Sequence, residues 1–314
     1  MIPKSIRDRS LFWLALLFIA FLASSCSSQD EAVIDLNALS PLQSNNADDI
    51  LPVRVAIAAV ISPQGTLESY TPLLEYLEEK LGRPVERVQG STYSETNEIL
   101  ASGLADIAFV CTGAYIQGAS EFGMEILVVP EINGESVYYS WVIVPVKSPI
   151  NEIADLRNRV FAFTDPLSLT GWMYPNYMLL QMGERPEAFF GRTFFTYSHD
   201  QAIRAVADGY ADGAAVDSLI YNYLIEREPS IAERLRIIHR SSAFGMPPVV
   251  VSPDIQPQLR LELQEILLDM SGDPDGLAAL DTLGIDRFVL VEGQLYESAR
   301  QVELAMPVQP TSSP

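Results

Sequence analysis

The sequence predicts an α/β protein made of two similar lobes with a ligand cleft between them. Three observations carry this reading. Short β-branched runs alternate with segments of helical spacing, the alternation restarts after Pro149, and the junction at residues 164–175 gathers hydroxyls at a helix start.

Before the first lobe lies a leader. Lys4, Arg7 and Arg9 form a basic start, and residues 11–22 are an almost unbroken apolar run, short for a membrane span and followed by small residues. The junction Leu22-Ala23-Ser24-Ser25-Cys26 looks like a bacterial lipoprotein signal, so residues 1–25 are expected to be removed and Cys26 lipidated. In the usual signal Leu stands three residues before the Cys, whereas here Ala23 takes that place. Residues 26–52, rich in Ser, Asn, Gln and Asp, read as a flexible tether.

The folded part begins with a strand at 53–60. A helix follows, with Tyr70, Leu73, Leu74, Leu77 and Leu81 on one face and Gly82 and Pro84 closing it. Strand 85–88, helix 94–104 and buried strand 105–110 complete a β-α-β-α-β order, which implies a largely parallel sheet. Another strand spans 138–146. The second series runs strand 160–163, helix to Met182, strand 193–197, helix 201–207, strand 213–216 and helix 219–226. Strands at 236–239 and 248–251 lead back, and 256–270, 276–283 and 294–304 read as helices. The boundaries are therefore 53–146 for the first part of lobe 1, 147–243 for lobe 2, 244–305 for the return and the C-terminal helices, and 306–314 for a disordered tail. The crossings are expected near 145–150 and 240–250, and paired lobes of this kind suit hinge closure over a small ligand.

At the 164–175 junction Ser168 and Thr170 are both suitable N-caps, and Gly171 lets a ligand approach the backbone. Pro175, lacking an N–H, is tolerated only near the helix start, so the helix either begins near 168–171 or is kinked there. Free N–H groups, hydroxyls and the positive end of the helix dipole make such a spot suitable for an oxyanion, although an ordinary capped helix has the same signature.

The 314 residues carry a net charge of −21 and 48% hydrophobic residues, which points to a globular chain that would repel nucleic acid and anionic membrane surfaces. Two cysteines, Cys26 and Cys111, give no disulfide within the domain. Two histidines and no spaced Cys/His cluster leave no metal site. No Gly-rich phosphate loop, dinucleotide fingerprint or nucleophile elbow is present, so neither a catalytic constellation nor a cofactor is expected.

The runs Tyr70-Thr71-Pro72-Leu73-Leu74, Ala105-Asp106-Ile107-Ala108-Phe109, Asp165-Pro166-Leu167-Ser168-Leu169-Thr170-Gly171 with Pro175, and His199-Asp200-Gln201-Ala202 resemble the phosphate/phosphite/phosphonate-binding proteins of ABC transporters. The likeness spans nearly all of 53–300. It implies the two-lobed type II periplasmic-binding-protein fold and a non-enzymatic, monomeric receptor outside the cytoplasm that serves a membrane permease. It also implies a ligand set of Tyr93, Thr112, Gly113, Tyr138, Ser168, Leu169, Thr170, Gly171, His199 and Asp217. Asp217 would accept from a protonated ligand oxygen or pair with a ligand ammonium. Leu169 departs from the small hydroxyl residue that many members carry, and Met246-Pro247-Pro248 stands where aminoalkylphosphonate binders have an acid. A small oxyanion, or a ligand with an apolar substituent facing Leu169 and Met246, fits better than aminoethylphosphonate. A sensor subunit for a membrane kinase and a receptor for another small organic solute stay open.

Overall fold

The computed structural model describes residues 51–306. The expected signal segment, Cys26, the tether up to Ile50 and the tail from residue 307 lie outside them. Among the described residues no helix is long and apolar enough to cross a membrane, and no group of His, Cys, Asp and Glu could hold a metal.

The first lobe is built on strands β1 (Val53–Ile57), β2 (Val85–Gln89), β3 (Ile107–Phe109), β4 (Glu125–Glu131), β12 (Val249–Val251) and β13 (Arg287–Val289), ordered β13-β4-β12-β3-β1-β2. Period-two alternation sends the side chains of β1 to opposite faces. Val55 and Ile57 pack with Leu73 and Leu77 of helix α1 (Pro63–Leu81), while Ala56 joins Tyr93 and Leu100 of α2 (Tyr93–Ala101). Truncating fully buried Leu77 to Ala would cost about 2–5 kcal/mol.

The second lobe carries β6 (Ser140–Pro145), β7 (Val160–Phe163), β8 (Arg192–Phe195), β9 (Gly213–Asp217) and β10 (Leu235–Arg240), ordered β10-β6-β9-β7-β8. Phe161 and Phe163 face one side of β7, and Ala162 the other. Two short strands, β5 (Val137–Tyr138) and β11 (Phe244–Gly245), pair antiparallel as a separate ribbon, with Tyr138 opposite Phe244, where the chain crosses between lobes.

The first crossing differs from the sequence expectation. Strand β6 pairs with β9 and β10, so the chain has already changed lobe before residue 145. The apolar pattern at 138–146 runs on without a break, which hides the switch at Tyr139 between two sheets. Strand β4, a continuous apolar run containing Pro130, also went unassigned in the sequence. Each crossing strand, β6 and β12, runs antiparallel to its neighbours, whereas β1–β3 are mutually parallel and so are β7–β9. The carboxyl ends of those parallel strands therefore face the cleft, the usual place for a ligand in such sheets.

Candidate functional site

Helix α3 (Thr112–Phe122) follows β3, the short α5 (Pro186–Phe189) precedes β8, α6 (His199–Ala207) follows β8, and α7 (Ser218–Arg227) follows β9. After β7 the chain forms a single π-turn, Leu169–Met173, before α4 (Tyr174–Gln181), so that Pro175 falls in the first turn of the regular helix. Ser168 is its N-cap, and its Oγ accepts from the N–H of Gly171 at 3.1 Å.

His199 is fully buried beside that cap. Its Nδ1 accepts the backbone N–H of Asp217 at 3.0 Å, so the neutral ring carries its proton on Nε2, 3.3 Å from Ser168 Oγ. Burial pushes the imidazole down to about 3, which keeps it neutral. Ser168 Oγ thus receives two donors, and its own proton is left to point elsewhere.

Among the described residues seven buried side-chain polar atoms lack a hydrogen-bond partner, and four of them are hydroxyls of Tyr93, Tyr138, Thr164 and Thr170. Orphaned buried hydroxyls are costly, and each asks for a partner that the described residues do not supply. Tyr93 and Tyr138 both lie within electrostatic reach of Cys111 and Asp217, and burial raises both phenols well above their usual range. The Tyr138 hydroxyl stands beside Thr112 without a hydrogen bond of good geometry. Cys111, pushed up to about 11 by burial, lies close to the N–H groups of Leu169 and Gly113, which pull the other way. Asp217 caps α7 by accepting from Leu219 at 2.7 Å. Burial lifts its carboxyl to about 7, against the opposing pull of the Leu219 and Ile220 N–H groups.

The lobes are closed on each other. His199 N–H donates to Val60 O at 2.9 Å, Ser62 N–H to Asp200 Oδ1 at 3.0 Å, and Ser69 Oγ shares a 2.6 Å hydrogen bond with Tyr223 Oη. Asp165, buried and raised above the usual carboxylate range by desolvation, accepts from Leu167 of its own loop and from the N–H of Tyr93 in the other lobe. At the closest approach, a Cβ on Gly113 would stand 2.3 Å from Leu167 O, so only glycine admits this contact.

The ten expected residues fall into two groups. The hydroxyls of Tyr93, Tyr138 and Thr170 have no partner, the Ser168 proton is left free, His199 spends its Nε2 proton on Ser168, and Asp217 holds His199 through its N–H. Thr112, Gly113, Leu169 and Gly171 act otherwise. The hydroxyl of Thr112 is already donated to Gly245 O at 2.9 Å, so it is no free donor as its helix-start position had implied. Leu169 is fully buried and packs in the same apolar cluster as Met246, Tyr93 and Tyr138. Gly113 admits the closed contact, and Gly171 leaves room for Thr164, whose Oγ1 fills the space a Cβ would need. Sequence reasoning missed Thr164 and Asp165 as site residues. Their place at the carboxyl end of β7 was the available signal.

Residues 55–296 match the family model of the periplasmic substrate-binding protein of phosphonate ABC transporters. The phosphate-import protein PhnD of Mycolicibacterium smegmatis is 28% identical over 240 residues, which cover 72% of this chain and 71% of that protein. A binding-protein component of a phosphonate ABC transporter from Pseudomonas aeruginosa has a similar structure, with a TM-score of 0.77 at 21% identity over 81% of this chain and 86% of that one. PhnD1 from Prochlorococcus marinus, solved in complex with methylphosphonate, gives 0.73 at 18% identity over 80% and 97% of the two chains. These structural likenesses establish the two-lobed type II periplasmic-binding-protein fold.

Proposed function

The chain belongs to the periplasmic substrate-binding proteins of phosphonate ABC transporters, and from that premise we propose that its closed cleft captures a phosphorus oxyanion with uncharged donors alone. It is a transport receptor and not an enzyme. The observation that carries the ligand reading is the set of buried hydroxyls without partners, Tyr93, Tyr138, Thr164 and Thr170, together with the Ser168 proton left free by its two donors. In a dry cleft such dipoles are poorly screened, and they attract an anion despite the net charge of −21. The likeness to a phosphate importer and to a receptor holding methylphosphonate supports this class of ligand.

In this reading the protein acts as a monomer, tethered by lipid at Cys26 outside the cytoplasm, and presents both closed lobes to its permease. Calorimetric titration with phosphate, phosphite, methylphosphonate, aminoethylphosphonate and sulfate tests it. Submicromolar binding of one phosphorus oxyanion, lost in Ser168→Ala with Thr170→Ala, is the expected result. Silence toward the whole panel would sink the phosphorus reading.

A further inference from the structure

The π-turn that carries Thr170 lacks one of its own donors. Within it the Met173 N–H donates to Ser168 O and the Tyr174 N–H to Leu169 O, each reaching five residues back. The next bond of that series would join residue 175 to Thr170 O, but Pro175 has no N–H to give. Thr170 is fully buried, and a buried carbonyl without a donor is costly. The donor comes from another strand. Ser140 Oγ, itself fully buried, donates to Thr170 O at 2.6 Å.

We propose that Ser140 is a positioning residue of the oxyanion site. Its hydroxyl stands in for the N–H that Pro175 lacks and so fixes the Thr170–Gly171 peptide. The inference rests on the phosphorus reading, and it adds to that site a residue whose own hydroxyl is engaged within the protein.

The peptide plane carries the effect. Its two ends are rigidly joined, so the oxygen held by Ser140 also sets the direction of the Gly171 N–H, which donates to Ser168 Oγ at 3.1 Å. That bond helps to leave the Ser168 proton free, and Thr170 Oγ1 has no partner among the described residues. Two donors of the site therefore depend on one tilt. The neighbouring tether is longer, since the Thr164 N–H reaches Gly171 O at 3.4 Å.

Ser140 is well held to set that tilt. Its N–H donates to Ser241 Oγ at 2.8 Å and its carbonyl accepts from the Ser241 N–H at 2.9 Å, while Ser241 Oγ donates in turn to Ser242 O at 2.6 Å. On its other side Ser140 pairs with Asp217 in the register of β6 on β9. With the backbone fixed from both sides, only the short side chain remains to be ordered, which suits a support that must hold a site closely. Ser140 opens β6 and Ser241 follows the last residue of β10, so the turn is anchored where the two crossing segments run side by side.

Calorimetric titration of the full chain with phosphate, phosphite and methylphosphonate, carrying Ser140→Ala, Pro175→Ala or both, tests the assignment. Ser140→Ala should weaken binding of the oxyanion that the parent takes by about tenfold, the effect of one hydrogen bond to a charged partner. In the Pro175→Ala background an N–H returns within reach of Thr170 O, and the same change should cost less than about threefold. Damage to β6 would not be repaired by a new N–H in α4, so this recovery separates positioning from a structural role. A Ser140→Ala affinity within about twofold of the parent, or a loss of binding or folding that Pro175→Ala leaves unrepaired, overturns the assignment and leaves the phosphorus reading standing. A parent that binds none of the three anions overturns both.

Discussion

Ser168 and His199 lie 3.3 Å apart, Oγ to Nε2, across the mouths of two parallel strands of the second lobe. The Asp217 N–H held by Nδ1 fixes the tautomer, and the Gly171 N–H takes the other lone pair of Ser168. The serine proton is thereby aimed by its surroundings. Ser168→Ala should weaken oxyanion binding by about 10–100-fold, the effect of one hydrogen bond to a charged partner. A dissociation constant within twofold of the parent by calorimetry would remove Ser168 from the site.

Tyr138→Phe deletes a buried hydroxyl that has no good partner. Without ligand the variant should be as stable as the parent or about 1 kcal/mol more stable, since an orphaned polar group costs on the order of 1–3 kcal/mol. Ligand affinity should fall about tenfold at the same time. Urea unfolding and titration of the same sample separate these effects, and a loss of stability without a loss of affinity would make the hydroxyl structural.

Gly113→Ala places a Cβ 2.3 Å from Leu167 O on the opposite lobe. The variant should fold but fail to close, with affinity reduced about 10–100-fold as expected for 1–3 kcal/mol of overpacking. Small-angle scattering checks this, because the parent should contract on saturation with ligand and the variant should not.

Two buried groups give opposite pH slopes. Asp217, raised from 3.8 to about 7, binds more protons in the native than in the unfolded chain, so its contribution to stability falls as pH rises through that window. His199, lowered from 6.5 to about 3, binds fewer, so its contribution falls as pH drops from 6.5 toward 3. Each effect is up to about 4 kcal/mol, and between pH 4 and 6.5 they oppose one another. Asp217→Asn should expose a stability that climbs with pH in this range, and His199→Gln one that declines. Urea midpoints measured every half unit would show it, and identical slopes in parent and variants would contradict the assignment.

Local physics made much of this legible in advance. Residues 53–60 read as a strand from alternation and β-branching, and β1 takes up 53–57 of them. Ser168 and Pro175 together left either a helix start near 168–171 or a kink there, and the π-turn at Leu169–Met173 is the form taken. The move of β6 into the second sheet was not legible, because Tyr138 and Ser140 belong to one unbroken apolar pattern while pairing with different partners.

By itself, the sequence determined most of the order of strands and helices, β4 and β13 excepted, the restart that makes a second lobe and the hydroxyl-rich junction, all set by side chains a few positions apart. Tertiary structure alone decided which of those hydroxyls stay free. The Thr112 hydroxyl is consumed by Gly245, 133 residues away, while the hydroxyls of Tyr93, Tyr138, Thr164 and Thr170 find no partner. A donor's availability depends on which acceptor the folded chain brings within about 3 Å of it, and that contact exists only once the two lobes have met.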